Sequence, residues 1–564
     1  MSTDLLFGHF ATLATAPEGI PRLRELILQL AVQGKLGTQD TGDEPAKFLL
    51  ERILKEKPSK KRNVEIISYE EYPFQIPEKW VFTRIGDIAQ IIRGVSYKKG
   101  DEILFPKENF FPLLRANNIT KEINFEKLVY VSKDLIEEQK WICRGDLVVA
   151  MSSGSTNLVG KAAQIEKEFI GSIGAFCGII RPTKLIEKKY LKYFFQSPYY
   201  RSTVSSFGQG IGINNLGSTN LQSIVLPLPP LAEQHRIVAK VDRLMALCDE
   251  LEARQQQERA GCLRLGTASL MALQNAESPE EFGRQWSQVC EAFEVIFDCP
   301  ENVGVLRQTV LQLAVQGRLA RQEPWDEPAV KLVERIRKEK GQLVKDGKIG
   351  KTKLTPEIES EEIPYPIPKN WIWTRLDHIT YISTGSTPST STKEYYIGGS
   401  IPWVTSSLTS QKLIFNADTK ITEKAVEDCS LKIYPEGTLL VALYGQGKTR
   451  GQVSELGIPA TINQACSAIV FWKANAPVKE YLKLVLTGNY EKIRSISAGG
   501  AQPNLNGDKI KRTLIPLPPL AEQHRIVARV DALMKLCDAL EARLKERAAV
   551  QGRLVGSVVK EVVS

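Results

Sequence analysis

The sequence has no Cys-x-x-Cys pair, and its nine cysteines are an odd number. That argues against a disulfide or zinc framework and for reduced core thiols in a cytoplasmic protein. No apolar run approaches the roughly 18 residues of a membrane span, so no membrane segment is expected. The opening stretch MSTDLLFGHFATLA lacks the basic and long apolar regions of a secretory signal, so export is not expected either. Histidine is scarce, with four among 564 residues. HExxH, GxSxG and a nuclease-type acidic cluster with a following lysine are missing, so no hydrolytic or metal-dependent signature stands out and no cofactor is expected on this chain.

What is present is an ordinary soluble composition, 43% hydrophobic and 25% charged, with length for roughly three to five structural units. The formal charge of +9 is unevenly placed. Residues 77–225 hold 20 Lys and Arg against 14 Asp and Glu, and residues 368–514 hold 17 against 11, so each carries a surplus of six while the remainder sums to −3. Two basic modules on a near-neutral frame fit a polyanion touched at two places; solubilising surface charge is the plainer alternative.

The chain also repeats itself. LPPLAEQHRIVAKVDRLMALCDELEAR from Leu228 returns as LPPLAEQHRIVARVDALMKLCDALEAR from Leu517, and LQLAVQGKL near residue 30 returns as LQLAVQGRL near residue 313. IPEKWVFTRIGDI from Ile76 is echoed by IPKNWIWTRLDHI from Ile367. Each half therefore reads as a helical block, a polar linker, a variable region and a second helical block. The expected segments are 1–57 helical, 58–76 linker, 77–225 variable, 226–340 helical, 341–367 linker, 368–514 variable and 515–564 helical.

After each Pro-Pro pair, apolar residues recur at 4-3 spacing: Ile237, Val241, Leu244, Cys248 and Leu251, then Ile526, Val530, Leu533, Cys537 and Leu540. This is the seam of a paired helix; since one chain carries both seams, intramolecular pairing is expected, with an ordinary dimerisation coil as the alternative. A helix of roughly 45 residues from Pro230 would be about 65 Å long. The variable regions read as mixed α/β, with strands at GDLVVAM (Gly145–Met151) and GTLLVAL (Gly437–Leu443) and a helical stretch from Lys188 to Val204.

ALYGQGKT (Ala442–Thr449) superficially fits a phosphate loop, but the glycines and proline that follow oppose the helix such a loop requires, and AMSSGSTNLVGKA in the first half has no such lysine-threonine pair. LPPL cannot act as a methyltransferase motif, because leucine offers no group to hold a target amine. His235 and His524 are one scaffold position twice, placed on an exposed helix face. What remains is readout. Arg and Lys suit guanine acceptors and phosphates, and Asn and Gln suit adenine.

The candidates in the first variable region are Arg93, Tyr97, Lys98, Lys99, Arg115, Asn117, Asn118, Ser152, Ser153, Ser155, Lys161, Asn214 and Asn215. In the second they are Ser386, Thr387, Ser389, Trp403, Ser406, Tyr444, Gln446, Lys448, Arg450, Gln502, Asn504 and Asn506. All are also ordinary surface-loop residue types.

The doubled LPPLAEQHRIVA and LQLAVQG, the STGSTPS…GGSIPWV run and the AGGAQPNL element together resemble specificity subunits of Type I restriction-modification systems, nearly end to end. The resemblance implies an α+β fold with a pseudo-two-fold internal repeat. In it, two target recognition domains, 77–225 and 368–514, are separated by conserved helices forming an intramolecular antiparallel coiled coil. The additional N-terminal LAVQG block gives each half its own helical frame, so the chain ends are expected to pack together in a quasi-circular arrangement. It also implies a non-enzymatic subunit that reads a bipartite double-stranded DNA site. Its expected partners are two modification subunits binding S-adenosylmethionine and restriction subunits using ATP and magnesium. A coiled-coil adaptor without sequence preference is the alternative; a self-contained nucleotide-dependent enzyme is more distant.

Overall fold

A computed structural model describes the chain apart from residues 1–13, 15, 17, 57–66, 68–70, 153–157, 208–214, 351–354, 445–448, 490–504 and 564. It divides into two units, residues 1–258 with 546–564, and residues 259–545. Both are α+β.

The first unit opens with α1 (Gly19–Val32) and α2 (Ala46–Glu56). Ile20, Leu23, Ile27 and Leu30 fall at helical spacing along α1 and are all buried. Gly34 ends the run at φ 69°, where a side chain would meet the Pro77 ring at 2.5 Å; only glycine fits both the turn and the proline.

Strands β1 (Val81–Arg84), β2 (Ala89–Arg93), β3 (Phe110–Leu114), β4 (Val129–Ser132), β5 (Leu147–Ala150), β6 (Ala162–Gln164), β7 (Ser172–Ile173) and β8 (Cys177–Pro182) follow. Then come α3 (Lys188–Gln196), α4 (Pro198–Ser206), β9 (Val225–Leu228) and α5 (Leu231–Asn275). The sheets are ordered β2-β8-β5-β6, β4-β3-β7 and β1-β9. β5 is buried on both faces: Leu147 and Val149 enter the core with α1, α3 and α5, while Val148 and Ala150 enter a second core with Leu114 and Ile173. Alternation along the strand builds both layers. The single helical stretch expected over Lys188–Val204 is two helices, because Pro198 starts a new one and the Ser197 hydroxyl caps it by accepting from Tyr200 N at 3.2 Å.

The second unit repeats this plan. After α6 (Pro279–Glu291), α7 (Glu301–Val315) and α8 (Ala329–Lys345) come β10 (Ile372–Arg375), β11 (Tyr381–Thr384), β12 (Ile401–Val404), β13 (Leu413–Ile414) and β14 (Lys420–Ile421). β15 (Leu439–Ala442), β16 (Val453–Leu456), β17 (Thr461–Ile462), β18 (Cys466–Val470), α9 (Lys479–Gly488), β19 (Leu514–Leu517) and α10 (Leu520–Val563) complete it. Its sheets are β11-β18-β15-β16-β13, β14-β12-β17 and β10-β19. α8 continues to Lys345, with Lys340 buried, so the expected linker start at 341 is helical; the charged sequence there lines one face of an amphipathic helix.

α5 is 45 residues long, as the periodicity predicts, and α10 is 44. Each contributes to both units. Ile237, Val241 and Cys248 join one core with Leu23, Leu26, Ile27 and Leu30 of α1, and with Val555 and Val558 near the chain's end; Leu244 and Leu251 pack on it. Ile526 and Val530, with Leu533 beside them, join a core with Val310, Leu311 and Ala314 of α7. Cys537 shares another with Leu270, against which Leu540 packs. The apolar stripe thus packs on the LAVQG helix of its own half along much of its length, since 4-3 spacing specifies a buried face but not what covers it.

The repeated motifs form one latch, twice. Buried Glu233 accepts from Trp80 Nε1 at 2.7 Å, Thr38 Oγ1 at 2.9 Å and Gln39 Nε2 at 3.0 Å. Its counterpart Glu522 accepts from Trp371 Nε1 at 2.9 Å and Gln322 Nε2 at 3.1 Å. Burial pushes the Glu522 carboxyl up, against the pull of these two donors. Arg236 pairs with Asp43 and Arg525 with Asp326; Arg24 pairs with Asp249 and Glu252, and Arg307 with Asp538 and Glu541. LAVQG, IPxxW and LPPLAEQHR are therefore parts of one joint fastening each variable region to its helices.

Of the nine free cysteines five are buried, whereas Cys143 and Cys290 are exposed and Cys262 and Cys429 lie between. Among the described residues no helix is long and apolar enough to cross a membrane.

Candidate functional site

The variable regions place their candidates where strands end. β2 runs out at Arg93 and Gly94, β3 at Leu114 and Arg115, and β5 at Ala150 to Ser152. The tight turn Gly174-Ala175-Phe176, which leads from β7 in one sheet to β8 in the other, ties these ends together. Gly174 N donates to Leu114 O at 2.9 Å, Gly94 N to Cys177 O at 3.2 Å, and Met151 N and Ser152 N both donate to Phe176 O, at 2.9 and 3.0 Å. Cys177 N closes the turn on Gly174 O at 2.9 Å. The second unit has the same clamp. Asn463 N donates to Val404 O at 2.9 Å, Gly385 N to Cys466 O at 3.3 Å, Leu443 N to Ala465 O at 2.7 Å and Cys466 N to Asn463 O at 3.1 Å. Gly94 and Gly385 are both obligatory, because an added Cβ would lie 2.1 Å from Gly174 O in one and 2.0 Å from Ile462 O in the other.

Around the first tip lie Tyr97, whose ring is 4.0 Å from a Cβ built on Gly174, and Arg115, whose stem is 3.8 Å away. Burial pushes the Tyr97 hydroxyl up, opposed by the Arg115 charge. Ser152 pairs with Asn215 as an isolated antiparallel bridge. Arg93 Nε donates to Ser218 Oγ at 3.1 Å and the side chain is exposed. Lys98, Lys99 and Asn117 are exposed on the adjoining loops, and Lys161 is half-buried beside β6.

In the second unit Ser386, Thr387 and Ser389 are exposed after β11, and Ser389 Oγ lies 2.7 Å from Ser391 Oγ. Ser406 is half-buried after β12, Tyr444 is exposed after β15 and Arg450 is half-buried. The Asn506 carboxamide oxygen accepts from Lys509 N at 2.8 Å, at the rim of a cleft of about 400 Å³ lined by Thr384, Asn506 and Lys511 among others.

Two candidates are spent internally. Asn118 is 2% exposed, accepts from Arg115 N and donates to the carbonyls of Asn124 and Glu126, so its amide holds a loop closed rather than facing a ligand. Trp403 packs with Ile421 and Ala425 and donates to Ser386 O at 3.3 Å, which makes it core. Ser153, Ser155, Asn214, Gln446, Lys448, Gln502 and Asn504 lie outside the described residues.

Sequence reasoning passes over the turn tips. GSIGAFCG and TINQACS read as small-residue runs, yet they put Phe176, 67% exposed, and Gln464, exposed, at the centre of each cluster. The phosphate-loop resemblance ends here too, since β15 continues into antiparallel β16 and not into a helix. His235 is exposed and pairs with Glu187 at 3.1 Å, and His524 is exposed; both sit on the scaffold. Among the described residues no group of three or more His, Cys, Asp or Glu could hold a metal ion.

The chain is similar to known proteins. Residues 77–259 and 368–549 each match the family described as Type I restriction modification DNA specificity domain. The chain is 30% identical to the Type I restriction enzyme EcoAI specificity subunit of Escherichia coli, covering 97% of this chain and 94% of that one. It is 42% identical to the EcoKI specificity subunit of Escherichia coli strain K12 over 32% of this chain and 40% of that one. The crystal structure of the HsdS subunit from Thermoanaerobacter tengcongensis is 18% identical, covers 87% of this chain with 98% of its own, and has a TM-score of 0.40. Bearing that domain twice and matching a specificity subunit end to end, the chain belongs to the specificity subunits of Type I restriction-modification systems, the sequence-recognition and non-catalytic members of those systems.

Proposed function

We propose that residues 77–225 and 368–514 are target recognition domains that each read one half of a bipartite, asymmetric double-stranded DNA site in the cytoplasm. The long helices, paired as an antiparallel coiled coil, fix the spacer and dock two modification subunits, and through them the restriction subunits. S-adenosylmethionine, ATP and magnesium belong to those partners. The observation that carries this reading is the repetition of one backbone clamp with different side chains around it: Arg93, Arg115 and Phe176 in the first half stand where Thr384, Thr405 and Ala465 stand in the second. One frame holding unlike chemistries favours two unlike half-sites.

The test is genome-wide mapping of N6-methyladenine in a host carrying this chain with its modification partner, against the partner alone. A new bipartite motif with an adenine in each half is expected. An assembled complex that writes no new motif would favour the coiled-coil adaptor.

A further inference from the structure

A single exposed apolar side chain on a protein surface needs no explanation. Phe176 differs in how it is held. Every backbone hydrogen bond of its tip goes to the end of a different strand or closes the turn, and its own carbonyl oxygen receives two N–H donors, Met151 and Ser152. The backbone is thus tied at several points while the ring stands 67% exposed; Tyr97 and Arg115 lie beside Gly174 of the same turn, and Ser152, which donates to the Phe176 carbonyl, forms a bridge with Asn215. An aromatic ring on a rigid mount loses little conformational entropy on contact, because its two side-chain torsions are all that remain to be fixed.

The counterpart tip makes the comparison sharper. The same clamp in the second unit presents Asn463-Gln464-Ala465: Ala465 stands where Phe176 does, and the exposed side chain is the Gln464 carboxamide one residue earlier, at the position of Ala175. Asn463 Oδ1 accepts from Ala465 N at 3.2 Å, which folds that side chain back on the turn and leaves Gln464 as the outward polar group. In a DNA groove an apolar ring matches the thymine methyl group, and a Gln carboxamide matches the N6 and N7 of adenine.

Resting on the DNA-recognition reading above, we propose that the two turn tips are specificity-determining elements of opposite chemistry. Phe176 contacts the 5-methyl group of a thymine in the first half-site, and Gln464 reads an adenine in the second. Both side chains are exposed, so their replacement leaves the fold intact.

The experiment uses the complex of this chain with its modification partner. The methylated motif is first mapped for the wild type, then for Phe176→Ala and Gln464→Ala. Each thymine of the first half-site is then replaced singly by deoxyuridine, which lacks only the methyl group, and binding is measured. The expected result is that Phe176→Ala relaxes one position of the first half-site alone and Gln464→Ala one position of the second alone. One deoxyuridine should weaken wild-type binding about tenfold and leave Phe176→Ala binding unchanged. Unaltered motifs in both variants, with a wild type that still writes a bipartite motif, would overturn this inference and spare the recognition reading. A wild-type complex with no sequence preference would overturn both.

Discussion

The Trp80 indole donates to the buried Glu233 carboxylate at 2.7 Å, and Trp371 repeats the bond to Glu522 at 2.9 Å. Each bond joins the start of a variable region to the first turn of a long helix. Each is a charge-assisted contact within the joint that fastens a variable region to its helices, beside the β1–β9 and β10–β19 pairing.

Removing either tryptophan donor leaves a buried carboxylate short of a partner. Trp80→Phe and Trp371→Phe should each cost about 1–3 kcal/mol, confined to their own half. Hydrogen exchange should report it: Trp80→Phe should accelerate exchange in β1 and β9 while β10 and β19 stay protected. Uniform acceleration in both halves would show that the latches are not independent.

Asn118 and Asn117 should behave oppositely despite being neighbours of one type. Asn118→Ala strips the hydrogen bonds that close the 115–126 loop, so a stability loss of about 1–3 kcal/mol is expected, whereas Asn117→Ala should leave the melting temperature unchanged. Calorimetry of the two variants checks this. Equal melting temperatures would return Asn118 to the pool of candidate readers.

Lys340 gives a pH signature. Burial pushes its ammonium from 10.5 down to about 8, assisted by Arg337 and opposed by Asp377, while its Nζ donates to the carbonyls of Asp377 and Thr380. Between these two values the unfolded chain binds more protons than the folded one, so unfolding free energy rises with pH, by at most about 3 kcal/mol. Below pH 8 both states are protonated and the dependence vanishes. Denaturant unfolding of the wild type from pH 7.5 to 10.5 should show a rise that Lys340→Met lacks; parallel curves would contradict it.

Thiol reactivity should sort by place in the fold. Burial pushes Cys177 and Cys466, at matching positions of the two clamps, up to about 12, whereas Cys143 and Cys290 are exposed. A maleimide at neutral pH should label Cys143 and Cys290 and spare Cys177 and Cys466 in the folded protein. Mass spectrometry of the digested product reads the outcome, and early labelling of Cys466 would mean that the second clamp opens.

The sequence by itself determined the doubling, the order of the segments, the 45-residue helix after Pro230 and strands β5 and β15. These are local properties: periodicity, proline placement and apolar runs act within a few turns of chain. It also marked Glu233, Trp80 and Gly34 as recurring residues without saying that they meet. The tertiary structure decided what covers each apolar stripe, because spacing fixes a face and not its partner, and Ile237 and Val241 meet the LAVQG helix of their own half.

It likewise decided that Asn118 and Trp403 face inward while Phe176 and Gln464 face outward. Side-chain chemistry alone ranks Asn118, Trp403 and Phe176 the other way, since Asn and Trp are typical readers and an isolated Phe in a run of small residues is not. Only the convergence of three strand ends on one turn, through backbone bonds between segments distant in sequence, makes that Phe a candidate reader.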